Sequence, residues 1–197
     1  MRRGGVVFLL DSAPATWTGQ EDPHLRLCQV LAQKGVLPVL VFAKPLRPEI
    51  ETRLRSGGAV VEAIDYGTGV LHYYRTLRRM VKRFAITTAH IIFFDYFSVV
   101  PWIARLAGVP VVTYEMQNNG EVRATSWRRW FPRLRTKLMT SPVRRVIAIS
   151  EFVKRQLVAS GTVEKDRGQV SGSRYGTLRS QPPEPSWGGR AILDSVG

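Results

Sequence analysis

The side chains of this 197-residue chain best placed to do chemistry are polar groups that come shortly after apolar runs. Thr18, Gly19 and Gln20 follow the run from Val6 to Leu10, Asn118 and Asn119 follow Val109 to Tyr114, and Ser150 follows Val143 to Ile149. Hydroxyl and carboxamide groups hydrogen-bond polyhydroxylated ligands. A glycine lets backbone approach such a ligand, and a helix start offers it unpaired N–H groups. Each position also has a plain structural reading. Gly19 is a turn glycine, Asn118-Asn119-Gly120 is a turn signature, and Ser150 is a helix cap contributing about 1 kcal/mol. The sequence leaves both readings open. All six are binding groups, and no catalytic base is identified.

Other chemistries lack their residues. The first apolar run is not followed by Gly-x-Gly-x-x-Gly, and neither a Gly-Lys-Ser/Thr phosphate loop nor a Gly-x-Ser-x-Gly elbow occurs. Cys28 is the lone cysteine, so there is no internal disulfide and no cysteine–histidine zinc cluster. His24, His72 and His90 are scattered and read as surface or packing residues. No metal and no cofactor is expected.

Charge is the bulk feature that asks for a partner. Lys and Arg number 29 against 15 Asp and Glu, for a net charge of +14 and a pI near 10.8. Such an excess attracts polyanions. It is concentrated between Glu121 and Glu151, where no acidic residue occurs. Arg123, Arg128, Arg129 and Arg133 lie there with Trp127 and Trp130 interleaved. Tryptophan beside arginine suits an anionic membrane surface. An ordinary exposed helix is the equal alternative. A phosphate-binding surface for nucleic acid is the least favoured, because no RRM, KH or zinc-finger signature accompanies the charge.

These groups need elements to hold them. Strand-like runs at Val6–Leu10, Val36–Phe42, Ala59–Ile64, His90–Phe94, Val109–Tyr114 and Val143–Ile149 alternate with helical patterns at 21–34, 47–56, 70–84 and 101–107. This alternation predicts a single α/β domain, with about five or six parallel strands and helices on both faces. Gly35 is the expected stop of the first helix. In the helix from 70 to 84, Val70, Tyr74, Leu77, Val81 and Phe84 form the expected core stripe, with the arginines as a solvated face. Ser150 is expected to open a further helix from Glu151 to Ala159. Residues 1–165 form the domain, and the proline- and glycine-rich residues 166–197 read as an irregular or disordered tail. No secretory signal or membrane-spanning run is visible.

Three segments carry a family resemblance: Leu31-Ala32-Gln33-Lys34-Gly35, then Ile103 to Val112 around Gly108-Val109-Pro110, then Val146 to Leu157 around Ser150. In this order and spacing the chain resembles the N-terminal, acceptor-side ("subfamily 4-like") domain of GT-B-fold glycosyltransferases. The resemblance implies a Rossmann-like domain forming one half of a GT-B fold. It implies transfer of a sugar from a nucleotide-sugar donor to a sugar or lipid-linked acceptor. It implies that the donor nucleotide is a substrate held by a C-terminal domain missing from this chain. The lone Cys28 is compatible with a reducing cytosol, so a cytoplasmic location is expected, and the basic segment adds a peripheral position at the cytoplasmic membrane face. Two features depart from the pattern. The loop after Tyr114 contains no histidine, and no two glutamates are separated by seven residues. The alternative is a basic α/β module that binds nucleic acid or an anionic membrane without catalysis.

Overall fold

Uninterrupted aliphatic runs form strands that are buried on both faces, and such strands belong in parallel sheets covered by helices. The computed structural model describes residues 3–17, 22–92, 94, 98–116, 138, 141–148, 150, 152, 153, 155 and 168–170. In it the strands are β1 (Arg3–Leu10), β2 (Val36–Phe42), β3 (Val60–Ala63), β4 (Ile86–Ile92), β5 (Val111–Met116), β6 (Arg145–Ala148) and β7 (Gly168–Val170). They form one seven-stranded sheet in the order β3-β2-β1-β4-β5-β6-β7. Every neighbouring pair is parallel. The helices are α1 (Asp22–Gln33), α2 (Pro48–Ser56), α3 (Val70–Phe84) and α4 (Val100–Leu106). The single parallel α/β domain expected from the alternation is what the chain forms.

Side-chain alternation along the strands divides the core in two. Val7, Leu9, Val39, Val41, Ala89, Ile91 and Val112 pack on one face against Leu77, Ile103 and Ala104 of α3 and α4. Phe8, Leu10, Leu40, Phe42 and Ile92 pack on the other against Cys28, Ile50 and Leu54 of α1 and α2. Gly35 ends α1 with φ +72°, the left-handed conformation that suits a residue without Cβ.

Four differences from the sequence reading have physical causes. β4 spans Ile86–Ile92 rather than His90–Phe94, because Ile86 and Thr88 pair with Gly5 and Val6 of β1. Two β-branched threonines there are strand formers, not a polar interruption. β5 starts at Val111 rather than Val109, because Gly108 (φ +104°) places Val109 in the turn. The core stripe of α3 is Tyr73, Leu77, Met80 and Val81, whereas Val70 is 60 % exposed. Tyr73 and Tyr74 lie on adjoining flanks of the helix, and ring packing of Tyr73 on Tyr66 selects Tyr73. Finally, Gly168–Val170, read as tail, pairs with β6 as a short edge strand. Three residues, Gly168, Gln169 and Val170, between Arg167 and Ser171 carry too little apolar pattern to announce a strand.

This topology sets up the site. From β1 the chain moves outward through β2 and β3, then returns to the other side of β1 for β4 to β7. The direction reverses between β1 and β4, and ligands of open α/β sheets bind beyond the carboxyl ends of the strands at such a reversal.

Candidate functional site at the carboxyl edge of the sheet

Because β1, β5 and β6 are parallel, the segments that follow them leave from the same edge of the sheet. These are the segments of Thr18-Gly19-Gln20, Asn118-Asn119 and Ser150. The first five of those residues lie outside the described residues, as do Arg123, Trp127, Arg128, Arg129, Trp130 and Arg133. Ser150 is described. Its Oγ accepts the backbone N–H of Val153 at 3.2 Å, the geometry of a helix N-cap. Its hydroxyl proton is not used by that bond.

The flanks of the 18–21 loop are tied together. The Trp17 indole N–H donates to Asp22 Oδ1 at 3.1 Å. Arg53 of α2 lies 4.0 Å above the Trp17 ring and 3.6 Å from the same Asp22 oxygen. The loop thus starts and ends on a clamp at the head of α1.

At the reversal itself the sequence reading missed a cluster. Asp11, the first residue beyond β1, is exposed, and its backbone N–H donates to the Ile92 carbonyl at 3.3 Å. Partial burial of its carboxyl raises it above the ordinary value of 3.8. Beside it the Tyr66 hydroxyl reaches the Leu10 carbonyl at 3.5 Å. The Tyr66 ring packs 4.8 Å from that of Tyr73 and edge-on, at 4.9 Å, to Phe94. The Tyr114 hydroxyl donates to the Phe94 carbonyl, fixing the turn after β4. Tyr73 is 2 % exposed, and among the described residues its hydroxyl has no partner in good hydrogen-bond geometry, lying beside the Tyr66 phenol. Burial, then the neighbouring Tyr66 phenol and Asp11, push Tyr73 well above the usual tyrosine range. An acidic group that directly follows the wholly apolar run Val6–Leu10 was the available signal for Asp11. Tyr66 and Tyr73 are near one another in sequence but lie more than 50 residues from Asp11, so spacing could not bring them to it.

A second cluster crosses β4 and β5. His90 Nδ1 is 2.8 Å from Thr113 Oγ1 and its Nε2 is 3.0 Å from Glu115 Oε2. The imidazole is largely buried and meets the Phe8 ring edge-on. The Thr113 hydroxyl can also donate to the Ala89 carbonyl at 3.3 Å. With neutral imidazole, Thr113 donates to Nδ1 and Nε2–H donates to Glu115. With imidazolium, Thr113 turns its proton to Ala89 and accepts from Nδ1–H instead. His90 is thus a bridge as well as a packing residue, and it holds Glu115 one position before the carboxyl end of β5.

Among the described residues no group of three His, Cys, Asp or Glu could hold a metal. The exposed and part-exposed polar groups described at this edge instead include the Ser150 hydroxyl, the Tyr66 phenol and the carboxylates of Asp11 and Glu115, groups able to hydrogen-bond a polyhydroxylated molecule.

A family model described as "Glycosyl transferase 4-like domain" matches residues 18–171. Its match takes in the end of the loop after β1 from residue 18, the whole basic segment and β7. No curated protein sequence matches the chain. Among solved structures, a glycosyltransferase from Rickettsia africae ESF-5 aligns with TM-score 0.61 and 14% identity, over 84% of this chain and 42% of that one. Anabaena Alr3699/HepE, solved with UDP and glucose, aligns with TM-score 0.56 and 12% identity, over 85% and 44%. A protein described as a UDP-N-acetylglucosamine 2-epimerase from Listeria monocytogenes aligns with TM-score 0.52 and 10% identity, over 85% and 45%. At these identities the likeness is one of fold, and the fold serves more than one reaction. The chain spans less than half the length of each of these structures.

Proposed function

Because the chain belongs to the glycosyl transferase 4-like domain family, we propose that it supplies the acceptor wall of a glycosyl-transferring enzyme. The opposite wall, which holds a nucleotide-sugar donor, comes from a second domain. The observation that carries this reading is the family match combined with the shared edge reached by the loops after β1, β5 and β6. An acceptor sugar or lipid-linked sugar lies across that edge. Its hydroxyls meet Thr18, Gly19, Gln20, Asn118, Asn119 and Ser150. Asp11 is the carboxylate best placed to accept a hydrogen bond from the hydroxyl that attacks. In the transfer, that oxygen bonds to the donor's anomeric carbon and yields its proton toward the Asp11 carboxylate as the bond to the nucleotide diphosphate breaks, and closure of the second domain excludes water.

The interleaved Arg123, Trp127, Arg128, Arg129, Trp130 and Arg133 bring the enzyme to an anionic membrane surface at its cytoplasmic face, where lipid-linked acceptors reside. The donor is a substrate, and this wall needs no cofactor of its own. Assays of this chain with a panel of nucleotide sugars test the division of labour. Neither hydrolysis nor transfer is expected without a donor domain, and measurable turnover by the chain alone would overturn it.

A further inference from the structure

The outward face of α3 carries a concentration of charge separate from that at residues 123–133. His72, Arg75, Arg78, Arg79, Lys82 and Arg83 are all exposed, and the helix contains no acidic residue. Leu71, Arg75, Arg78 and Lys82 recur at steps of three and four, so they form one stripe along the helix. Among the described residues, Arg83 meets a carboxylate, Glu62 at 3.8 Å. Arg78 and Arg79 reach only the hydroxyls of Tyr74 and Thr76. An open basin of about 390 Å³ lies between these cations, lined also by His72 and Thr76. Like charges three and four residues apart repel one another. Among the described residues, Arg75, Arg78, Arg79 and Lys82 keep that repulsion with no carboxylate paired to them, Glu62 reaching only Arg83, as a surface built for an external anion does.

The ends of the stripe indicate which anion. Val70 and Leu71 in its first turn are 60 % and 58 % exposed. Because α3 runs from the end of β3 to the start of β4, this turn lies toward the carboxyl edge of the sheet, where the site is. Leu106 on the adjacent α4 is also exposed. Exposed aliphatics beside cations fit a headgroup layer. A single strand of nucleic acid would want free aromatic faces to stack on, and Tyr74, the ring beside the stripe, is half-buried under Arg78.

We propose that this face of α3 docks on an anionic phospholipid bilayer. The lipid phosphates accept hydrogen bonds from Arg75, Arg78, Arg79 and Lys82, and Val70 and Leu71 enter the headgroup layer. The proposal rests on the membrane reading above and deepens it by naming a second contact surface. The test is co-sedimentation of the full chain with phosphatidylcholine vesicles, with and without phosphatidylglycerol, at low and high salt. Two triple variants are compared: Arg75→Gln/Arg79→Gln/Lys82→Gln, and Arg128→Gln/Arg129→Gln/Arg133→Gln, each checked for native circular dichroism.

We expect salt-sensitive binding to the anionic vesicles alone, weakened on the order of 100-fold by the α3 variant. An α3 variant that binds like the parent chain overturns this proposal. If the second variant then loses binding, the membrane reading survives on residues 123–133. A parent chain that ignores anionic vesicles overturns both, and tighter binding to single-stranded RNA than to the vesicles assigns the charge to nucleic acid instead.

Discussion

His90 on β4 and Glu115 on β5 meet through Nε2 and Oε2 at 3.0 Å, joining adjacent strands just below the edge where the site lies. The pair is mostly shielded from water, with side-chain exposures of 13% and 22%, so its parts depend on each other. Replacing His90 with Leu strips the carboxylate of this donor and is expected to cost about 1–3 kcal/mol. Glu115→Gln keeps an acceptor and should cost less. Urea unfolding of both single variants and the double checks the coupling, and strictly additive effects would show that the contact contributes nothing.

Tyr73→Phe removes a buried hydroxyl that, among the described residues, has no partner in good hydrogen-bond geometry. Stability should change by no more than about 1 kcal/mol, since the hydroxyl lies beside the Tyr66 phenol without a well-aligned bond to lose. If that hydroxyl awaits an acceptor, the same variant binds acceptor less tightly while its stability stays within that margin. Thermal unfolding and an acceptor titration, run on one preparation, separate the two effects.

Ser150 tests cap against ligand contact. Ser150→Ala is expected to lose about 1 kcal/mol through the Val153 N–H, whereas Ser150→Asn retains the cap and most of the stability. Weaker acceptor binding in the Asn variant would locate a ligand contact at the hydroxyl. Unchanged binding in that variant would leave Ser150 a cap alone.

Cys28 is 1 % exposed, and burial pushes its thiol up to about 11 from the ordinary 9.0. The unfolded chain therefore loses this proton first as pH rises. The contribution is intact below about pH 9 and is lost progressively towards 11. Cys28→Ala should flatten that part of the stability profile. In the native protein at pH 8, iodoacetamide should modify Cys28 only as fast as the chain unfolds.

Much of the fold was legible because buried parallel strands advertise themselves as apolar runs. β2 and α3 emerge with the boundaries their patterns suggested, and Gly35 marks the end of α1 by its left-handed φ. What a single sequence hides is pairing across the sheet. His90 and Glu115 are 25 positions apart, and only the register Ile92↔Glu115 brings them together. The same holds for Phe94, whose ring meets that of Tyr66, itself packed on Tyr73, because the connections before and after β4 come together at one edge. The Thr87–Thr88 start of β4 was obscured because threonine counts as polar in a hydropathy pattern yet pairs readily in a strand.

The most direct test of the central claim is a residue-by-residue NMR map of where an acceptor binds. Isotope-labelled chain is titrated with soluble oligosaccharide and lipid-linked sugar acceptors, and backbone amide shifts are followed. Shifts should cluster at Asp11, Ser12, Tyr66, Phe94 and Ser150, with the 18–20 and 118–119 loops, along the carboxyl edge. Shifts confined to the opposite edge, around Arg105, Pro110 and Arg144 beside the open basin of about 460 Å³ there, would contradict it.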